Sequence, residues 1–176
     1  EAAEELVKGR VIGDVLSLDV EYREHWGETF NAHPWFTGPQ DTYLGSWERG
    51  GGASGENSYA LNLWQHWAHV LGKGRVVEVE GMMTYAKDGR AWYDTVAMWH
   101  LRTEKGFQGR VVQDVVTKPA RRVALIQGTE GRIEWSANHS SSGDAVFTST
   151  PTPFTQSSTT ASSERARRFW FTSCWY

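Results

Sequence analysis

The chain has 176 residues, a formal net charge of −3 and a hydrophobic fraction of 39%. That is enough for one domain with a real core, or one domain plus a tail. No basic run falls on a regular element, which argues against nucleic acid as a partner. No apolar run approaches the ~18 residues of a membrane helix, which argues against a membrane span. The only cysteine is Cys174, so an internal disulfide is excluded and a zinc cluster is unsupported. The acidic start carries no signal peptide, and the compartment this predicts is the cytoplasm.

Residues 1–8 read as a helix already under way. Residues 14–24 alternate apolar and polar, with Leu16, Leu18, Val20 and Tyr22 on one face, which predicts a half-buried strand. Residues 25–55 hold glycines, prolines and aromatics without a period. A loop of that length inside a compact domain is usually functional. Its tryptophans Trp26, Trp35 and Trp47 are the ligand candidates among the ten in the chain, and the others read mainly as core and interface.

The glycine run Gly50–Gly55 opens into a helix predicted over 57–71, capped by Ser54 or Asn57 and stopped by Gly72. Glycine lets backbone approach a ligand closely, and a helix start presents free N–H groups. Tyr59, Asn62, His66 and His69 form one stripe of this helix; Leu61, Trp64, Ala68 and Leu71 form an apolar one. The His66/His69 spacing is compatible with a metal, but no third ligand is evident, and a polar helix face is the simpler reading.

Strands follow at Arg75–Ala86 and Ala91–Arg102, joined by a Lys87-Asp88-Gly89 turn. Further strands are predicted at Phe107–Thr117, ended by Pro119, at Ala120–Gln127 and at Arg132–Trp135. The predicted fold class is α+β: an open, mostly antiparallel sheet of about six strands with one long helix on one face. Apolar residues on both faces of 96–101 and 111–116 predict that the second face is covered too. Residues 1–137 make this domain. Residues 138–176 are Ser/Thr-rich, then basic and aromatic, and read as a disordered tail or an altered gene end.

Gly50-Gly51-Gly52-Ala53 with Asn62-Leu63, the entry Gly13-Asp14-Val15 and the segment Gly128-Thr129-Glu130-Gly131-Arg132-Ile133-Glu134-Trp135 together resemble the C-terminal domain of the glucose-fructose oxidoreductase / inositol dehydrogenase (Gfo/Idh/MocA) family. In that family the helix opens on an Asp-x-x-x-His pair. Here the Asp position holds Gly55 and the His position holds Tyr59. The run Gly50–Gly55 has the Gly-x-Gly-x-x-Gly spacing but does not follow a strand in a βαβ unit, so it is not the nucleotide-binding turn of the family's N-terminal domain, and that domain's Glu-Lys-Pro motif does not occur in the chain.

The resemblance implies the substrate-binding and oligomerisation half of an NAD(P)-dependent oxidoreductase acting on a sugar, polyol or related hydroxy compound. NAD or NADP would belong to the missing N-terminal nucleotide-binding domain, and none is expected for this chain alone. Tyr59 would stand at the acid/base position. Gly52, Asn62, His33, Trp35 and Trp47 would line the substrate pocket. A homo-oligomer would form through the sheet face. The rival expectation is a non-catalytic carbohydrate-binding or scaffolding protein, which the replaced Asp and His favour.

Overall fold

The computed structural model describes residues 2–140 and 143–151. Helix α1 (Ala2–Lys8) leads into β1 (Val15–His25). The long loop then carries α2 (Trp26–Asn31), three short 3-10 turns and α3 (Gly52–Glu56). Helix α4 (Tyr59–Val70) follows, and then the strands β2 (Val76–Asp88), β3 (Ala91–Thr103), β4 (Gln108–Asp114), β5 (Val116–Gly128), β6 (Arg132–Ser140) and β7 (Gly143–Ser149). They form one sheet in the order β2-β3-β4-β1-β5-β6-β7. Among the described strands only β1 with β4 is parallel; β1 pairs with β5 antiparallel across the chain, and the remaining neighbours are consecutive antiparallel strands.

The α+β class and the mostly antiparallel sheet are as expected, but the details differ. Among the described residues there are seven strands rather than about six, and the one long helix, α4, is accompanied by three shorter α-helices. The seventh strand lies beyond residue 137. Its Val146 packs against the main core and its Phe147 pairs with Glu134, so a short alternating run holds a sheet edge within a Ser/Thr-rich context. Residues 152–176, the rest of the expected tail, lie outside the described residues.

The core lies between α4 and the sheet. Ala60, Trp64, Trp67 and Ala68 of α4 are buried against Leu18, Val20, Leu101, Val111, Ala124, Ile126 and Ile133. Trp64 is fully buried: its indole N–H donates to the Leu18 carbonyl at 2.9 Å and its ring meets Phe107 at 5.8 Å. A buried indole needs such an acceptor. Gly109 makes this approach possible, because a Cβ there would collide with the Leu18 carbonyl and the Trp64 indole.

Two strand expectations fail for local reasons. Leu16 is 56% exposed, because a bulge between Val15 and Ser17 turns it outward and Val15 packs inward instead. Pro119 does not end a strand. It lies inside β5 where the pairing with β1 jumps from Arg23–Arg121 to His25–Val116, an irregularity that asks no N–H of it.

Candidate functional site

The glycine run is a clamp. Gly50 and Gly52 have φ of +83° and +89°, a region that suits glycine. Asp94 reaches in from β3, fully buried, and accepts from the Ser54 amide at 2.7 Å and the Ser54 hydroxyl at 3.0 Å. A Cβ on Gly52 would run into the Asp94 carboxylate. Gln113 donates to the Ala53 carbonyl at 2.7 Å, and Asn57 donates to the Asp114 carbonyl at 3.2 Å. A buried carboxylate requires such donors, so α3 is tied to the middle of the sheet.

The expected caps are therefore used differently. Ser54 and Asn57 hold α3 to β3 and β4, and α4 starts after Ser58 without a side-chain cap. The Ser54 amide, expected to be open to a ligand, serves Asp94. The run does not fit the phosphates of a dinucleotide either, since the Asp94 side chain already occupies the helix start where a phosphate would have to bind.

Tyr59 is the first residue of α4 and is 58% exposed. Its ring leans on Tyr22 of β1, centroids 5.5 Å apart. The Arg122 guanidinium lies 4.8 Å from the Tyr22 ring and pairs with Glu24. Burial pushes the Tyr22 phenol up, so it stays protonated at neutral pH. Tyr43, from the loop, donates to Glu56 at 2.5 Å. That bond pushes the Tyr43 phenol up to about 12, and the neighbouring Tyr59 phenol adds a smaller push. Asn62 is exposed on the same stripe of α4 as Tyr59.

The remaining expected residues fall into separate clusters. His33 bonds through Nδ1 to the Thr29 carbonyl at 2.6 Å, with Trp35 edge-on at 5.1 Å and Phe36 beside it. Trp47 packs edge-on against Trp92 of β3 at 5.8 Å. Trp26 is buried and stacks on Tyr93 at 5.7 Å, so it anchors the loop rather than facing a ligand. Gly52, Tyr59 and Asn62 are brought onto consecutive helices, while the ring partner of Tyr59 is Tyr22. Asp94, Glu56 and Tyr43 escaped the sequence reading. Asp94 lies 40 residues from Ser54, and no local pattern links them.

His66 is not free for a metal: its Nε2 meets Glu4 of α1 at 3.0 Å, on the rim of a cleft of about 350 Å³ between α1, α4 and β6–β7. Among the described residues no group of three His, Cys, Asp or Glu could hold an ion, and no helix is long and apolar enough to cross a membrane.

The sheet face away from α4 is more charged than expected. Arg110 pairs with Asp19 at 3.0 Å, Arg23 with Glu21 at 3.0 Å and with Asp114 at 2.6 Å, and Arg102 with Glu78. Met82 and Met98 are exposed among these charges, and Phe147 at the β7 end. Val112 faces the same way but is already buried by its neighbours, and Val115 turns into a small cluster with Trp26 and Ala53.

The model of the GFO/IDH/MocA C-terminal domain matches residues 1–134. No curated protein matches. Among solved structures, levoglucosan dehydrogenase in complex with NADH and levoglucosan is similar at TM-score 0.57 and 17% identity, covering 86% of this chain and 43% of its own. The WlbA dehydrogenase from Bordetella pertussis, in complex with NADH and UDP-GlcNAcA, gives TM-score 0.54 and 20% identity, covering 86% and 43%. An inositol dehydrogenase homolog from Azotobacter vinelandii, complexed with NADH and myo-inositol, gives 0.56 and 15%, covering 82% and 38%. The chain thus spans about two fifths of the length of these structures, and at such identities they show a shared fold. With a glycine run clamped to an antiparallel sheet and a family match over three quarters of its length, the chain belongs to the GFO/IDH/MocA C-terminal domain family.

Proposed function

We propose that this chain is the substrate-binding and oligomerisation half of an NAD(P)-dependent oxidoreductase acting on a sugar, polyol or related hydroxy compound. The observation that carries this reading is the exposed Tyr59–Asn62 stripe at the start of α4, beside a glycine run held rigid by Asp94, in a chain of this family. Similar folds occur in dehydrogenases solved with levoglucosan, myo-inositol and UDP-GlcNAcA, all hydroxyl-rich molecules. NAD or NADP and its chemistry belong to a separate nucleotide-binding domain. This chain's part is to bind and orient the substrate, with Tyr59 holding a substrate oxygen. Asn62 would supply a hydrogen bond, Gly52 lets the loop backbone pass Asp94, and His33, Trp35 and Trp47 would reach a substrate only from the separate clusters they form. The charged sheet face, with Met82, Met98 and Phe147 exposed, serves as the contact between copies. The setting is cytoplasmic.

The rival reading, sugar binding without catalysis, is favoured by one observation. A side chain at position 55 would run into the Gly50 carbonyl, so no acid fits where the family carries Asp. One experiment separates the two: join the chain to a nucleotide-binding domain of the family and measure polyol-dependent reduction of NAD and NADP. Turnover with any polyol supports the oxidoreductase. Binding without turnover supports the rival.

A further inference from the structure

The two edges of the sheet are built differently. At one edge β7 has seven residues and is followed closely by Pro151. At the other, β2 has thirteen residues and no proline, and among the described residues only β3 pairs with it. An edge strand presents a row of unpaired N–H and C=O groups, which proteins usually blunt by shortness, proline or charge. The run Gly81-Met82-Met83-Thr84-Tyr85-Ala86 in β2 carries no charge. Val79 and Met82 are 56% and 78% exposed, and Met83 is exposed beside them.

The ladder with β3 slips at Val77 and again after Thr84, so residues 78–84 form its regular stretch, with Gly81 at the midpoint. Residues directly opposite in an antiparallel pair share a face, so two copies of β2 can pair only in registers centred on a residue. Centring on Gly81 uses the whole regular stretch. It sets Val79 against the second copy's Met83 and Glu80 against its Met82, with no like charges opposed. Glu78, opposite Thr84, is already held by Arg102. At the axis the Trp99 ring takes the space that a side chain on Gly81 would fill, so the strands meet there backbone to backbone. Centring on Glu80 would oppose two Glu80 carboxylates, and centring on Val79 would oppose Glu78 to Glu80, both unfavourable. Centring on Met82 would carry the pairing across the slip after Thr84.

We infer that β2 pairs antiparallel with β2 of a second copy about a two-fold axis at Gly81, joining two sheets into one. Main-chain bonds supply the affinity, and the Val79–Met83 cross-strand pairs fix the register. This contact is separate from the sheet-face contact proposed above and does not depend on it.

The test is hydrogen exchange of the 176-residue chain, read by mass spectrometry from roughly 10 µM to 1 mM, the range in which so small a contact dissociates. The parent is compared with Val79→Lys, Met83→Glu, the double variant Val79→Lys/Met83→Glu, and Met98→Lys. Protection of amides 78–84 should rise several-fold with concentration in the parent. It should fall to the dilute level in each of Val79→Lys and Met83→Glu, and return in the double variant, where each new charge faces its opposite in the second copy. Positions 79 and 83 lie about 13 Å apart along one strand, so a single chain cannot make that ion pair. Both side chains are exposed in the single chain, so melting temperatures should stay near that of the parent. Protection that does not rise by 1 mM overturns the edge pairing. A double variant no better protected than the single ones overturns the Gly81 register and the inference with it. Protection lost in Met98→Lys belongs to the sheet face, and it overturns the edge contact while leaving the sheet-face reading standing.

Discussion

At the scale of single residues, the candidate site is governed by side chains that hold backbone rather than ligand. Gly52 combines φ of +89° with a Cβ position already filled by Asp94. Gly52→Ala should therefore cost about 1–3 kcal/mol from backbone strain alone, read as a lower melting temperature. Tyr43 offers a pH test. Its phenol is pushed up to about 12 because its O–H donates a hydrogen bond to Glu56. Its folded pKa is raised above the ordinary value of about 10. Its contribution is then fully present below pH 10 and fades as pH rises through 12. Ultraviolet phenolate titration should show a late component that includes Tyr43, and Glu56→Ala should move part of that component to lower pH. An unchanged titration would break the assignment. Little of this layer was legible in the sequence. Ser54, Asn57 and the glycines were visible as a helix start, but their partners Asp94 and Asp114 come from strands far along the chain.

At the scale of elements, alternation and turn residues located the sheet well. The Asp88–Gly89 hairpin, the strands on either side of it and the helix stopped at Gly72 all stand close to where their residues placed them. The misses have physical causes. A bulge at Leu16 breaks the period of β1, and Pro119 is tolerated where β5 leaves register with β1. β7 is short and polar on both sides of its Ala145-Val146-Phe147 run, so composition hid it. Helix α4 is anchored to the sheet through Trp64. Trp64→Ala removes a fully buried indole and its bond to Leu18, and should cost about 3–5 kcal/mol. Chemical denaturation of the two proteins measures it, and a loss under 1 kcal/mol would mean that Trp64 does not anchor α4.

At the scale of the whole molecule, the charge pattern changes how association should work. The expectation of apolar residues on both faces of 96–101 and 111–116 gives way, on the face away from α4, to ion pairs among which Met82 and Met98 are exposed. A contact between copies built this way should weaken with salt, since exposed pairs are screened. Met98→Lys should weaken it without unfolding the chain. Val112→Lys should instead destabilise the fold, because Val112 is buried within one chain. Light scattering with size-exclusion chromatography decides: a monomer at high concentration and low salt would contradict the oligomer. The chain alone should also show no saturable binding of NADH or NADPH by fluorescence, because Asp94 takes the helix start that a phosphate would need. Micromolar binding would overturn that.

On the proposed function, the start of α4 would hold the substrate for hydride chemistry supplied by another domain. The most direct measurement is the steady-state rate of polyol-dependent NAD or NADP reduction by the chain joined to a nucleotide-binding domain of its family, compared with Tyr59→Phe and Tyr59→His. Turnover should fall in Tyr59→Phe, which loses the phenol hydroxyl, and rise in Tyr59→His, since an imidazole ordinarily titrates near neutral pH. Rates unchanged in both variants, with melting temperatures intact, would contradict it.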